Sequence, residues 1–282
     1  VIMKRKIYVT ILSTIAAICL GICMDHISDT DKNIPVSTFG AQFDSVDNKG
    51  SGWGLKKVKG SEPEITEAQK TVLKKYNSFY MDSSKPHRLY LTFDEGYENG
   101  YTASILDTLK EKNVPAAFFI TGPYAKKEQE LVRRMINEGH IVGNHTVRHP
   151  NLPKLGSADS IAAELNEMNK LVYDMYGYEM KYMRPPEGEY SERVLAVAQA
   201  LGFRTALWSF AYRDWNVNDQ KSAEYAVNEI VPYFHDGAVL LLHAVSRDNT
   251  QALGTVIDAA RAAGYEFSSL DDIPSEAQPQ QS

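Results

Sequence analysis

The stretch Arg88-Leu-Tyr-Leu-Thr-Phe-Asp-Glu-Gly96 decides how this chain is read. Arg88 to Phe93 reads as an apolar strand, and it runs straight into two carboxylates, Asp94 and Glu95, and a glycine. Such an ending is costly for a core. It suits a site that needs a base and a hard ligand.

Outward from this strand the pattern alternates. Tyr101 to Asn113 places Ile105, Leu106 and Leu109 on one helical face; Ala116 to Thr121 is an apolar strand, and a helix around Glu128 to Glu138 stops at Gly139. Further strands are expected at Ile141 to Gly143, Lys181 to Met183, Phe203 to Trp208, Ala238 to Leu242 and Tyr265 to Ser268. Helices are expected at Ser157 to Tyr176, Ser191 to Leu201, Lys221 to Val231 and Gln251 to Ala263. Strand and helix repeat with short connections, so the fold class is α/β with a parallel sheet covered by helices.

A barrel and an open doubly wound sheet both satisfy that alternation. Five reactive clusters stand at strand ends: Asp94-Glu95, His145 with His149, Arg184-Pro185-Pro186, Asp214-Trp215, and His243. In a parallel barrel all strand C-termini open onto one face, so one pocket can gather all five. An open sheet would concentrate its ligands near a switch point, and no Gly-rich phosphate loop follows the first strand. The expectation is a distorted parallel (β/α) barrel of about seven strands in one catalytic domain.

His145 and His149 are four residues apart, a spacing that puts two imidazoles on the same side of a helical turn, within reach of one ion. Alone, that pair is only moderately specific for metal. Its company changes the reading. The segments Leu91-Thr-Phe-Asp-Glu-Gly-Tyr-Glu-Asn-Gly-Tyr-Thr102, Gly139-His-Ile-Val-Gly-Asn-His145, Met183-Arg-Pro-Pro and Leu241-Leu-His-Ala-Val-Ser246 resemble the motifs of the polysaccharide deacetylase family, carbohydrate esterase family 4. The resemblance is greatest to the branch that removes acetyl from N-acetylmuramic acid on the way to the muramic δ-lactam of spore cortex.

The resemblance implies roles residue by residue. Asp94 matches the general base, with Arg184 orienting it, and His145 and His149 match ligands of a divalent metal, expected to be zinc. His243 matches the general acid and Asp214 the carboxylate that pairs with it. The Glu187 backbone N–H falls where the family supplies an oxyanion donor, and Trp215 and Leu241 where it lines the acetyl pocket. Three positions depart from the pattern: Glu95 stands for a metal-binding Asp, Tyr212 for the first Asp of the fourth motif, and Glu187 for the side chain after the two prolines. The chemistry agrees independently, because amide hydrolysis needs a stabilised oxyanion and a protonated leaving amine.

Two other functions remain open on the residues alone. A glycosidase would use paired carboxylates, Asp94 with Glu95 or Glu98, but would leave the histidines without a role. A silent glycan-binding domain would keep the groove, with Tyr97, Tyr101 and Glu98 shaping it, and lose base, ligand or acid.

Charge and composition bound the rest. A net charge of -6 and scattered Lys and Arg give no field for a nucleic-acid backbone. Lys4, Arg5 and Lys6 precede an uncharged run, Ile7 to Met24, that holds both cysteines, Cys19 and Cys23, and reads as a membrane anchor or an inefficiently cleaved secretory signal. The expected organisation is therefore a signal or anchor at 1–24, a loose linker at 25–60, a catalytic domain at 61–273 and a flexible tail at 274–282. Such a protein is extracytoplasmic and monomeric, touches the membrane only through its N-terminal segment, and acts on peptidoglycan glycan strands.

Overall fold

The computed structural model describes residues 39–275. The apolar run at 7–24 and most of the tail, with the expectations attached to them, lie outside the described residues. One seven-stranded sheet organises the chain. Its strands are β1 (Arg88–Glu95), β2 (Ala116–Ile120), β3 (Ile141–Asn144), β4 (Tyr182–Met183), β5 (Arg204–Thr205), β6 (Ala238–His243) and β7 (Glu266–Phe267). Between successive strands run α1 (Thr102–Lys112), α2 (Gln129–Asn137), α3 (Ala158–Tyr176), α4 (Glu192–Ala200), α5 (Ala223–Ile230) and α6 (Arg247–Ala262).

The strand order is β6-β1-β2-β3-β4-β5, with β7 on the first residues of β1, and every ladder is parallel. The sheet curls until its ends approach. Ser209 N–H donates to Val239 O at 2.9 Å and Leu241 N–H to Phe210 O at 2.9 Å, tying the chain beyond β5 to β6. The strand expected over Phe203 to Trp208 is accordingly cut to Arg204–Thr205: Ala206 still bonds Met183 O, but Leu207 N–H already turns to Phe79 O at 2.8 Å.

Alternation along β1 sorts side chains between two layers. Tyr90 packs inside the barrel with Phe119 and Val239, whereas Leu89, Leu91 and Phe93 pack outward with Ile105 and Leu109 of α1 and Leu165 of α3. Close packing inside dictates Gly143, where a Cβ would stand 2.5 Å from the Phe119 ring. Serine caps start the helices that follow the site loops. Ser157, Ser191, Ser222 and Ser246 each accept from an N–H three residues on.

The linker expected to reach residue 60 is corrected by the packing, because the described residues are already packed from Phe39 onward. Phe39 is buried beside α3 and α4, Ser51–Gly52 pairs with Glu189–Tyr190, and Lys56–Val58 forms a hairpin with Ser61–Glu64. Trp53 is buried among Leu73, Tyr190, Leu195 and Leu207, and its indole N–H donates to Trp208 O at 2.8 Å. The extension therefore braces the turn at Glu187 and Gly188 that borders the site, since Trp53 N–H also donates to Gly188 O at 2.8 Å.

Candidate active site

The C-terminal ends of the strands open onto a groove of about 850 Å³ bordered by Asp94, His145, His149, Trp215, Leu241 and His243. Glu187 lines it too, held at φ 60° by the turn after Pro185-Pro186. Arg184 and Asp214 lie behind the lining, each in contact with a residue that faces the groove.

Asp94 and Arg184 form the buried centre. Arg184 is fully buried, and its guanidinium donates to Asp94 Oδ1 at 2.8 Å, Thr92 Oγ1 at 2.9 Å, Ala206 O at 2.9 Å and Leu207 O at 3.2 Å. It also stacks 4.1 Å from the Phe119 ring centroid. A planar fork held at so many points fixes the carboxylate it meets. Burial pushes the Asp94 carboxyl up, but Arg184, then His145 and His243, outweigh it and hold the group below the usual carboxylate range. Asp94 is therefore ionised at neutral pH, with Oδ2 turned toward His145 Nε2 at 3.6 Å.

The two histidines meet, though not on a helix. Residues 145–150 form a loop with left-handed residues at Thr146 (φ 67°) and His149 (φ 58°), and the rings stand 4.9 Å apart. Polar side chains that spacing did not flag hold this loop. Glu164 on α3 accepts from the N–H groups of Val147 and Arg148, Thr146 N–H donates to Asn144 Oδ1, and His149 N–H donates to Thr146 Oγ1. His145 Nδ1 lies 2.9 Å from Arg184 O, and a carbonyl can only accept, so the proton sits on Nδ1 and the Nε2 lone pair faces the groove. Burial lowers the His145 pKa to about 4, against the pull of Asp94, which keeps the ring neutral.

On the neighbouring strand β6, His243 Nδ1 donates to Asp214 Oδ1 at 2.7 Å, and its backbone N–H donates to Asp214 Oδ2 at 2.8 Å. Burial lowers the imidazole pKa, but Asp214 and more distant Asp94 reverse that and leave it above the ordinary histidine value. Asn249 was not legible as a site residue. It donates to Asp214 Oδ2 and accepts from Tyr212 OH, so Tyr212, which also lines the groove, reaches the carboxylate through Asn249. The Trp215 ring lies 5.7 Å from His243, half-exposed at the groove mouth.

Glu95 is the correction. In this structure β1 keeps its alternation to the last residue, so Glu95 turns to the face opposite Asp94. Its carboxylate is buried on the helix side, 3.5 Å from Thr102 Oγ1 at the start of α1, and its Oε2 has no hydrogen-bond partner. Glu98 does not line the groove either, since it accepts from the N–H groups of Tyr101 and Thr102 and caps α1. Of the residues expected to shape the groove, Tyr97 lines it and Tyr101 does not. The carboxylate pair that a glycosidase would draw from Glu95 or Glu98 is thus missing from the groove. His140 and His235 are buried structural residues, bonded to Ala116 N–H and to Ser209 Oγ.

A model of the family described as polysaccharide deacetylase matches residues 82–206. The chain is 43% identical over 235 residues to the peptidoglycan-N-acetylmuramic acid deacetylase PdaA of Bacillus subtilis, covering 83% of this chain and 89% of that protein. The chain belongs to the polysaccharide deacetylase family. The solved structure of Bacillus subtilis PdaA, a family 4 carbohydrate esterase, matches this deacetylase with a TM-score of 0.78 over 81% of this chain and 98% of that one. A peptidoglycan-N-acetylglucosamine deacetylase of Bacillus cereus is 35% identical over 187 residues, 65% of this chain and 66% of that protein. The deacetylase is thus a hydrolase that removes N-acetyl groups, built on the barrel that its relatives share.

Family 4 deacetylases are generally metal-dependent. Among the described residues no group of three or more His, Cys, Asp or Glu is arranged to hold an ion. The side chains nevertheless fit a divalent ion as two ligands, because the His145 lone pair is bare, its ring is neutral and the His149 ring is beside it. Glu95 adds nothing to that set.

Proposed function

We propose that this deacetylase removes the acetyl group from N-acetylmuramic acid residues of peptidoglycan glycan strands outside the cytoplasm. The supporting observation is the pairing, on neighbouring strands at one groove, of an ionised carboxylate anchored by Arg184 and an imidazole whose pKa is raised by Asp214. The name of the Bacillus subtilis relative supports muramic acid as the sugar.

In this reading Asp94 takes a proton from the water that attacks the acetamide carbon. Arg184 occupies Oδ1, which leaves Oδ2 for that proton. His243, charged and turned by Asp214, gives its proton to the sugar nitrogen as the carbon–nitrogen bond breaks, and acetate and an amino sugar leave. The Glu187 N–H supports the oxyanion and Trp215 and Leu241 enclose the acetyl methyl. A divalent metal, zinc by expectation, would be held by His145 and His149, and when bound it polarises the carbonyl. Mass spectrometry of muropeptides treated with the purified protein tests the proposal: loss of one acetyl mass from muramic acid is expected, and loss from glucosamine alone would refute it.

A further inference from the structure

N-acetylmuramic acid differs from N-acetylglucosamine by a lactyl ether on the carbon next to the acetamide, and when its carboxyl is free the sugar carries an anion beside the reacting group. A net charge of -6 offers no general attraction for that anion, and the groove lining includes Glu187. A local cation in the groove would supply the attraction that the net charge does not.

Two arginines line the groove, Arg148 and Arg213. Arg148 is committed: its Nη1 lies 2.6 Å from Glu164 and its Nη2 2.6 Å from Glu167. Arg213 is different. Its contact among the described ion pairs is Asp219 at 3.9 Å, beyond hydrogen-bond range, and Asp219 is already bonded to Lys221. The guanidinium is 65% exposed and directly precedes Asp214, the buried partner of His243. It thus stands on the groove wall that carries the acid.

We propose that Arg213 is the specificity residue for muramic acid, taking the lactyl carboxylate in a charge-assisted contact while the acetamide sits between Asp94 and His243. This inference rests on the muramic reading above. A planar fork suits a carboxylate and rewards it over a 3-hydroxyl, which leaves the guanidinium in water. The contact positions substrate and touches no reacting atom, so it shows as a preference among substrates.

The test compares kcat/KM on muramic-containing glycan oligomers with free lactyl carboxylates and on the same oligomers with those groups converted to neutral methylamides. Wild type should prefer the free acid by about tenfold or more. Arg213→Ala should abolish the preference, Arg213→Glu should invert it and Arg213→Lys should keep part of it. If Arg213 merely braces the loop against Asp219, Arg213→Ala lowers both substrates alike, and the proposal is overturned. Absence of a free-acid preference in wild type overturns it as well. Acetate release by wild type from neither oligomer would refute the muramic reading itself, and this inference with it.

Discussion

Asp94 and His243 are register partners on neighbouring parallel strands, β1 and β6, so the ladder itself sets base and acid side by side at the groove. Asp94 is the penultimate residue of β1 and His243 the last of β6, and the ladder continues behind both, which makes the pair rigid. Asp94→Asn and His243→Ala should each lower acetate release by at least about a hundredfold, because each removes a proton-transfer partner. Asn is chosen at 94 because an apolar replacement would strand a buried guanidinium, at a cost of about 3–5 kcal/mol. Near-native turnover in either variant, with unfolding transitions like wild type, would refute the assignment.

The pH profile should carry the signature of both groups. The active form has Asp94 ionised and His243 protonated, so kcat/KM falls on the acid side through the depressed Asp94 pKa and on the alkaline side through the raised His243 pKa. Asp214 is what raises the imidazole against burial. Asp214→Asn should therefore move the alkaline limb toward lower pH and leave the acid limb in place. An unmoved alkaline limb would mean that a different group sets it.

Trp53 links the N-terminal extension to the site. Trp53→Ala removes a large buried side chain and the bond to Trp208 O, and should cost about 3–5 kcal/mol in denaturant unfolding. The turn at Glu187 and Gly188, which Trp53 holds through Gly188 O, should loosen at the same time. A higher KM at temperatures where the variant is still folded is the expected result, and an unchanged KM would separate the extension from the groove.

What was legible in the sequence followed from local pattern. Apolar runs such as Ala116 to Ile120 and Ala238 to Leu242 are buried on both faces, so they announce parallel strands without help from the rest of the chain. Asp94, His145 and His243 could be placed at one mouth because they end such runs. Phe39 and Trp53 could not be read, since the elements that bury them, α3 and α4 and the chain at Trp208, lie over a hundred residues away and no periodicity accompanies them. Glu164 and Asn249 were hidden for a similar reason: each is a polar residue inside a helix whose work is done on a distant loop. The His145–His149 spacing pointed to a helix, but the cluster is a loop bent by two left-handed residues, which spacing cannot distinguish. Glu95 was legible as a departure from the family's Asp, and the structure turns it to the face opposite Asp94.

Glu95 leads to the last expectation. Burial raises its carboxyl well above the ordinary 4.5, and Glu98 and Asp94 add to this. The folded state therefore holds a proton that the unfolded chain releases, over a window that opens at 4.5 and runs up to the raised value. Within it the native state binds more protons than the unfolded state, so stability falls as pH rises. Glutamine has the same shape and cannot ionise. Glu95→Gln should thus unfold at a higher temperature than wild type, by a margin that is small near pH 5 and larger near about pH 8. Metal affinity offers a second reading of the same side chain. A carboxylate on the helix side contributes no ligand, so calorimetric titration with zinc should give Glu95→Gln and wild type the same affinity, while His145→Ala should lose it. A constant stability margin across pH, together with weaker zinc binding in Glu95→Gln, would show instead that the carboxylate turns into the groove and serves the ion.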